Sequence, residues 1–451
     1  MKSILIKNGL VCFEDGIRQA DIYIQNGTIS SFDSLMDADE IIDASGLYVL
    51  PGMIDIHTHL DDTIGKYELA DTYKTGSEIA VLNGITTFFT FITQGKDEFL
   101  NNAIEKARKK ADGNSFCDYG WHLTPTKFEG EDWKEIYECI EKGFKTFKFY
   151  TTYEHAGIYS SYERMEKIFE KLRKYNLTFF IHCEDNDIIE KESKKNPNLS
   201  KAYSHTFLRP IEAEVKAIKK LVGIAKEYNV KLHIVHVSTS EGTEIINDAK
   251  KTISISCETA PHYLFLNNEY LIREDGNRWI CSPPLRSESN MHEMHKKAKS
   301  GMFDIFATDH CAFTKKDKDK EYFSGKPDIT KVPNGLAGIG ALPHLTFKLY
   351  SDNLNNGFFE MSKRLSTNPA KIVGLYPKKG VIKIGSDADM VILNPNGKER
   401  NIKSSLSDVY ETYSELKTKL SFKNVFLRGK MIVENNKIKD DEYRGEEIIK
   451  L

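Results

Sequence analysis

The 451-residue chain has no Cys-x-x-Cys pair among its seven cysteines, which stand at positions 12, 117, 139, 183, 257, 281 and 311. That excludes a thiolate zinc knuckle, and thiols so scattered do not make a disulfide framework. No apolar run approaches the ~20 residues of a membrane span. The opening MKSILIKNGLVCFEDG reads as a short strand and a turn rather than a signal h-region, so a cytoplasmic protein is expected. A basic excess is missing too: 63 Lys and Arg against 66 Asp and Glu leave a net charge of −3. Neither nucleic acid nor an anionic membrane is then an expected partner. Lys315, Lys316, Lys318 and Lys320 alternate with acids and read as a solvated loop. Short solenoid repeats and long low-complexity segments are absent.

What is present has two textures. Residues 1–50 carry short apolar alternations broken by turn chemistry: Ile4–Ile6, Asp15-Gly16, Ile22–Ile24, Asn26-Gly27, Ile41–Ile42. Asn-Gly and Asp-Gly in such settings are hairpin signals. Similar runs return at Ile382–Ile384, Met390–Leu393, Lys423–Leu427 and Met431–Val433. Each end is too small to fold alone. The two are expected to form one small β-sandwich domain, residues 1–51 plus 375–451, beside a barrel domain of residues 52–374.

Between them, apolar runs alternate with helical periodicity, the mark of βα units and a parallel sheet. Eight runs are counted: Met53–Ile56, Thr86–Phe91, Asp118–Leu123, Thr146–Tyr150, Leu177–Ile181, Lys231–Val237, Ser254–Thr259 and Asp304–Ala307. Helical stretches include Glu98–Lys110, Glu163–Lys174, Ile211–Tyr228 and His292–Ser300. The expected class is α/β, a (β/α)8 barrel, whose active site sits at the C-terminal ends of the strands.

Five of the eight runs carry ligand-type residues at that end. The first leads into His57-Thr58-His59, the fourth contains Lys148, the fifth precedes His182, the sixth contains His236 and the eighth leads to Asp309. Singly, each has a bland explanation. His182 could be a satisfied strand-end histidine, Asp309 a helix cap, and His57 and His59 a surface pair on one face of a strand. His236 competes with His233, three residues earlier and so on the opposite face; the sequence pattern does not choose between them. Together, the bland readings require five independent accidents at one rim.

Imidazoles with a carboxylate suit zinc, and also manganese or cobalt. Two divalent ions ~3.5–4 Å apart need an anionic bridge. Lys148, inside Phe147-Lys148-Phe149-Tyr150, is the odd residue of the set. A desolvated lysine has a lowered pKa, and its neutral amine can take up carbon dioxide. Carbamylated Lys148 would be the bridge.

At these residues the sequence resembles the cyclic amidohydrolases, closest to the hydantoinase and dihydropyrimidinase family. The match spans nearly the whole chain. It includes Pro51-Gly52-Met53-Ile54-Asp55-Ile56-His57-Thr58-His59, Gly143 through Tyr153, His233-Ile234-Val235-His236-Val237-Ser238 and Cys257-Glu258-Thr259-Ala260-Pro261-His262-Tyr263-Leu264. Further on come Cys281-Ser282-Pro283-Pro284-Leu285-Arg286, Ala307-Thr308-Asp309-His310-Cys311, Val332-Pro333-Asn334-Gly335 and Gly385-Ser386-Asp387-Ala388-Asp389.

The resemblance implies hydrolysis of a ring C–N amide bond by a hydroxide bridging two metals. It implies His57 and His59 on one metal, His182 and His236 on the other, and carbamylated Lys148 between them, so it selects His236 over His233. Asp309 would bind the first metal and move the proton, Tyr153 would hydrogen-bond the oxyanion, and backbone groups near Ser282 and Asn334 would hold the ring amide. A homotetramer is also implied, with the segment from Asn401 onward either contributing to it or ending in a solvent-exposed tail, Lys437–Lys450. Leu60-Asp61-Asp62 follows the histidine pair where dihydroorotases carry an arginine, which argues against an anionic dihydroorotate. Ala260 and His262 stand where hydantoinases prefer cysteine and glutamine, and Pro261-His262-Tyr263 is similar to allantoinases. An acid and an arginine usual after Pro-Asn-Gly are replaced by Leu336 to Leu342. A non-catalytic scaffold of the dihydropyrimidinase-related kind would have lost metal ligands; here all six positions are kept.

Overall fold

Asn26 and Gly27 take φ of 52° and 82°, the paired left-handed turn whose twist matches that of the strands it joins. It links strand Gly16–Gln25 to Thr28–Ser31, and Gly16–Gln25 pairs antiparallel with Ile4–Phe13. Strand Tyr48–Pro51 then lies parallel to Ile4–Phe13 on one side and antiparallel to Met390–Asn394 on the other. There the two ends of the chain meet. Strands Ser421–Leu427, Lys430–Glu434 and Lys437–Ile438 extend the same mixed sheet to nine strands. Its core is aliphatic, built around Ile6, Ile22, Ile24, Val49, Met390 and Ile392.

The computed structural model describes residues 2–32, 36–196, 200–439 and 445–448. In it the eight apolar runs are eight parallel strands: Met53–Asp55, Ile85–Thr93, Asp118–Thr124, Thr146–Tyr150, Thr178–His182, Lys231–Ile234, Ile255–Thr259 and Ile305–Phe306. Each pairs with the one before it in the chain, giving a nearly closed (β/α)8 barrel. Gly52 marks the entry from sheet to barrel, since a Cβ there would stand 2.2 Å from Thr86 Oγ1. The seam between first and last strands is sewn at the rim: Thr58–His59 pairs with His310–Cys311, and Thr308 Oγ1 donates to buried Asp55 at 2.6 Å.

Helices cover the outside. Ile211–Tyr228 buries Ala213, Ala217, Ile218, Leu221, Ile224 and Ala225, the stripe that a 3.6-residue period places against a sheet. Inside, Ile54, Phe89, Phe180 and Ile305 pack with Val373 and Leu375 and plug the barrel at the N-terminal ends of the strands. Each such side chain contributes roughly 1.5–3 kcal/mol by burial. The plug leaves the opposite rim for chemistry.

Three sequence expectations are corrected here. Ile382–Ile384 is not a strand. Left-handed Gly380 and Gly385 bracket it, so Ile382 enters the sheet's core while Ile384 stays 59% exposed. The group at 315–320 is not a loop; it opens helix Lys315–Tyr322, which exposes Lys315, Lys316 and Lys320 but buries Lys318. The charged end is not wholly a solvent-exposed tail. Tyr119 N donates to Glu446 O at 3.0 Å and Ile448 N to Tyr119 O at 2.8 Å, and Arg108 grips Glu447 through Nε and Nη2, both at 2.9 Å. Positions 440–444 and 449–450 of that end lie outside the described residues.

Candidate metal centre

The strands deliver the ligand-type residues to one rim. His57 follows Met53–Asp55, Lys148 is central in Thr146–Tyr150, His182 ends Thr178–His182, His236 stands two residues past Lys231–Ile234, and Asp309 lies beyond Ile305–Phe306. Parallel register sets Lys148 opposite Phe180 and Tyr150 opposite His182.

Two groups of donors result. Ligand atoms of His57, His59 and Asp309 all lie within 4.8 Å of one another, with Asp309 Oδ1 at 3.1 Å from His57 Nε2 and 3.4 Å from His59 Nε2. In the second, His182 Nδ1 stands 2.9 Å from His236 Nε2. His182 Nε2 is engaged by Glu184 at 2.7 Å, so its Nδ1 presents a lone pair. Nδ1 of His236 is buried without a partner. Without a metal, a neutral His236 can donate its Nε2 hydrogen to His182 Nδ1, which leaves its own Nδ1 a buried atom with no partner; a cation between the two facing nitrogens takes the place of that hydrogen, so this pair fits a metal. The groups adjoin, with the ring centroids of His57 and His236 5.4 Å apart.

The electrostatics suit a cation as well. Burial is the largest influence on His59, His182 and His236 and pushes all three below the usual imidazole range, keeping them neutral and able to ligate. Burial works the same way on His57, but Glu258 and Asp309 outweigh it and raise its pKa. A proton there would be displaced by a dication. Burial also opposes charge on Asp309, yet His57 and His59 hold its carboxyl well below the ordinary range. Lys148 is 1% exposed, and among the described residues no carboxylate pairs with it. Its Nζ lies over the rings of Phe91 and Tyr150, 5.0 and 4.8 Å from their centroids. Desolvation lowers its pKa to about 8, and all four imidazoles feel its charge.

Three rim residues are strained. Tyr153, His236 and Asp309 have φ of 69°, 38° and 49°. Left-handed backbone at non-glycine residues costs roughly 1–3 kcal/mol each, and net stability is only about 5–15 kcal/mol. A fold carries that much strain in one place where the side-chain directions matter.

Several partners were not legible in the sequence. Glu258 Oε1 receives Nδ1 of His57 and its Oε2 receives Nε2 of His233 at 3.0 Å. It fixes the tautomer of His57 and aims Nε2 at Asp309. His233 and His236 both turn inward, contrary to the expectation that they occupy opposite faces. The strand stops at Ile234, and left-handed His236 resets the alternation. Arg209 pairs with Glu184 and lies 4.7 Å from the ring centroid of Tyr153. Tyr153 stands 5.2 Å from the His182 ring. Ser282 Oγ accepts from Asn334 Nδ2 at 3.1 Å, so the two expected substrate loops touch. Glu258 had a signal, a carboxylate in an apolar strand, the same logic that singled out Lys148. Its replacement by glutamine is expected to weaken metal binding 10–100-fold, measured by chelator competition; unchanged affinity would remove it from this role.

The chain is similar to known proteins over nearly its whole length. The sequence profile of the amidohydrolase family matches residues 48–432. The D-hydantoinase of Ralstonia pickettii is 31% identical over 444 residues, covering 96% of this chain and 95% of the relative. That of Geobacillus stearothermophilus is 31% identical over 95% of this chain and 92% of its own. The crystal structure of dihydropyrimidinase from Brevibacillus agri superposes with a TM-score of 0.93 at 28% identity, covering 99% of this chain and 98% of the other.

Proposed function

This chain belongs to the amidohydrolase family, and we propose that it opens the ring of a small cyclic amide or imide, as a metal-dependent enzyme of the hydantoinase and dihydropyrimidinase type. The observation that carries the reading is the convergence of His57, His59 and Asp309 within 4.8 Å, beside the facing His182 and His236. His57, His59 and Asp309 would hold one divalent ion and His182 and His236 a second, with carbamylated Lys148 between them; zinc, or else manganese or cobalt, suits these donors. The ions, when bound, acidify water to near neutrality and polarise the scissile carbonyl.

The chain's own residues do the rest. Asp309, held ionised, takes the proton from the attacking water and passes it to the leaving ring nitrogen. The Tyr153 phenol, raised to about 12 by burial, stays protonated and donates to the oxyanion forming on the carbonyl. Tyr153→Phe is expected to lower kcat by about 10²–10³-fold with metal content intact; a loss under threefold would assign the oxyanion elsewhere. Backbone groups near Ser282 and Asn334 orient the ring amide. Leu60-Asp61-Asp62 follows the histidine pair, so no arginine stands directly after it to clamp an anionic ring.

The domain limits (1–51 with 375–451, and 52–374), a cytoplasmic setting and a homotetramer belong to the same reading. Among the described residues no helix is long and apolar enough to cross a membrane, and all seven cysteines are free and buried. The deciding assay offers the metal-loaded protein dihydrouracil, hydantoins, allantoin and dihydroorotate. Turnover of the first two is expected; turnover of allantoin alone, or of none, would refute the assignment.

A further inference from the structure

Helix Lys315–Tyr322 begins at Thr314, whose hydroxyl accepts from Asp317 N. On its inward face is Lys318, 3% exposed. Its ammonium donates to Ile280 O at 2.9 Å and to Pro333 O at 2.8 Å. Those carbonyls belong to two loops far apart in sequence. One leads directly to Ser282 and the other to Asn334. Asn277 anchors the helix from the first loop's side, its Nδ2 reaching Lys318 O at 3.1 Å and Asp319 Oδ1 at 2.8 Å.

A buried ammonium is expensive unless paired. Among the described residues no carboxylate pairs with Lys318; two carbonyl dipoles meet its charge. Burial accordingly pushes its pKa down to about 8. A methionine would fill the same space without that desolvation, so packing alone does not account for a lysine. The direct contacts between the loops are neutral hydrogen bonds: Gly335 N to Ile280 O at 3.0 Å and Asn334 Nδ2 to Ser282 Oγ at 3.1 Å. Lys318 adds the charge-assisted bonds, which are roughly twice as strong, and it spans both loops from behind.

We propose that Lys318 is a positioning residue for substrate: its ammonium sets the spacing of the Ser282 and Asn334 loops so that their backbone groups meet one ring amide. The inference rests on the substrate reading given above, in which those loops bind the ring. It separates positioning from catalysis. Among the described residues Lys318 makes no hydrogen bond or ion pair to a candidate metal ligand, so its loss is expected to act on binding of the ring and not on the rim donors.

The test compares metal-loaded wild-type protein with Lys318→Met. Hydrogen–deuterium exchange without substrate is measured over residues 280–283 and 333–336, and KM and kcat are measured on the best ring substrate of the panel. Faster exchange confined to these two segments is expected, with KM raised about tenfold, kcat within about threefold, and metal content unchanged. A folded variant with unchanged exchange or unchanged KM overturns the proposal, as does a fall in kcat at constant KM. If wild-type protein hydrolyses no cyclic amide, the substrate reading fails, while exchange still decides whether Lys318 holds the loops. Should Lys318→Met not fold, Lys318→Gln keeps one donor and is expected to shift the same readouts less; no shift in it overturns the proposal equally.

Discussion

Asp309→Asn is expected to retain its metal and lose at least about 10³-fold in kcat, the scale of a lost general acid–base group combined with altered charge at the site. The amide oxygen of asparagine still ligates, and His57 and His59 still present Nε2 from a rim sewn by the pairing of Thr58–His59 with His310–Cys311. What asparagine cannot do is accept the proton. The wild-type carboxyl lies well below the ordinary range because His57 and His59 overcome its burial. Metal content by elemental analysis and single-substrate kinetics check both halves. Retained turnover would take Asp309 out of proton transfer, and a metal-free variant would show its main role to be ligation.

Lys148→Ala is expected to lower metal stoichiometry from two ions per chain to one or fewer. Activity should fall about 10³-fold or more, equivalent to roughly 4 kcal/mol of lost stabilisation. The argument is steric and electrostatic. An amine enclosed by Phe91 and Tyr150, with no carboxylate paired to it among the described residues, has only two ring faces and the more distant Asp309 and Glu258 to offset its desolvation as a cation. With its pKa lowered by desolvation to about 8, its neutral form is far more accessible near neutral pH than that of an ordinary lysine. Neutral amine adds carbon dioxide and releases a proton, replacing a positive charge by a negative one between the two donor groups. Because carbamate formation releases a proton, bicarbonate should raise the final extent of reconstitution of wild-type apoprotein more at pH 8.5 than at pH 6.5. A short carboxylic acid, occupying the space vacated in Lys148→Ala, should restore part of the activity. Two ions and full turnover in the variant would end the carbamate reading.

How far the sequence carries this account depends on the kind of interaction. The barrel was legible because its signal is local: eight apolar runs separated by helical periodicity need no knowledge of distant contacts. The rim was legible because a barrel converts position within a strand into position in space. His57, His182 and Asp309 were thus collected from three separate segments. Glu258 was harder. Its carboxylate spans to His57 and His233 on other strands, and sequence does not reveal which buried polar groups find each other. His233 and His236 were set on opposite faces by period-two alternation, which fails where left-handed backbone ends the strand. Lys318 reads as solvated in sequence because its neighbours are exposed charges; one inward position on a short helix is invisible without the loops it faces. Ile382–Ile384 had strand composition but lies between two left-handed glycines, which took precedence.

Anomalous X-ray diffraction from crystals of the metal-loaded protein addresses the central claim most directly. Two peaks about 3.5–4 Å apart are predicted, within bonding distance of the side chains of His57, His59, Lys148, His182, His236 and Asp309. No peak at that rim, or a single one that leaves His182 and His236 uncoordinated, would contradict the account.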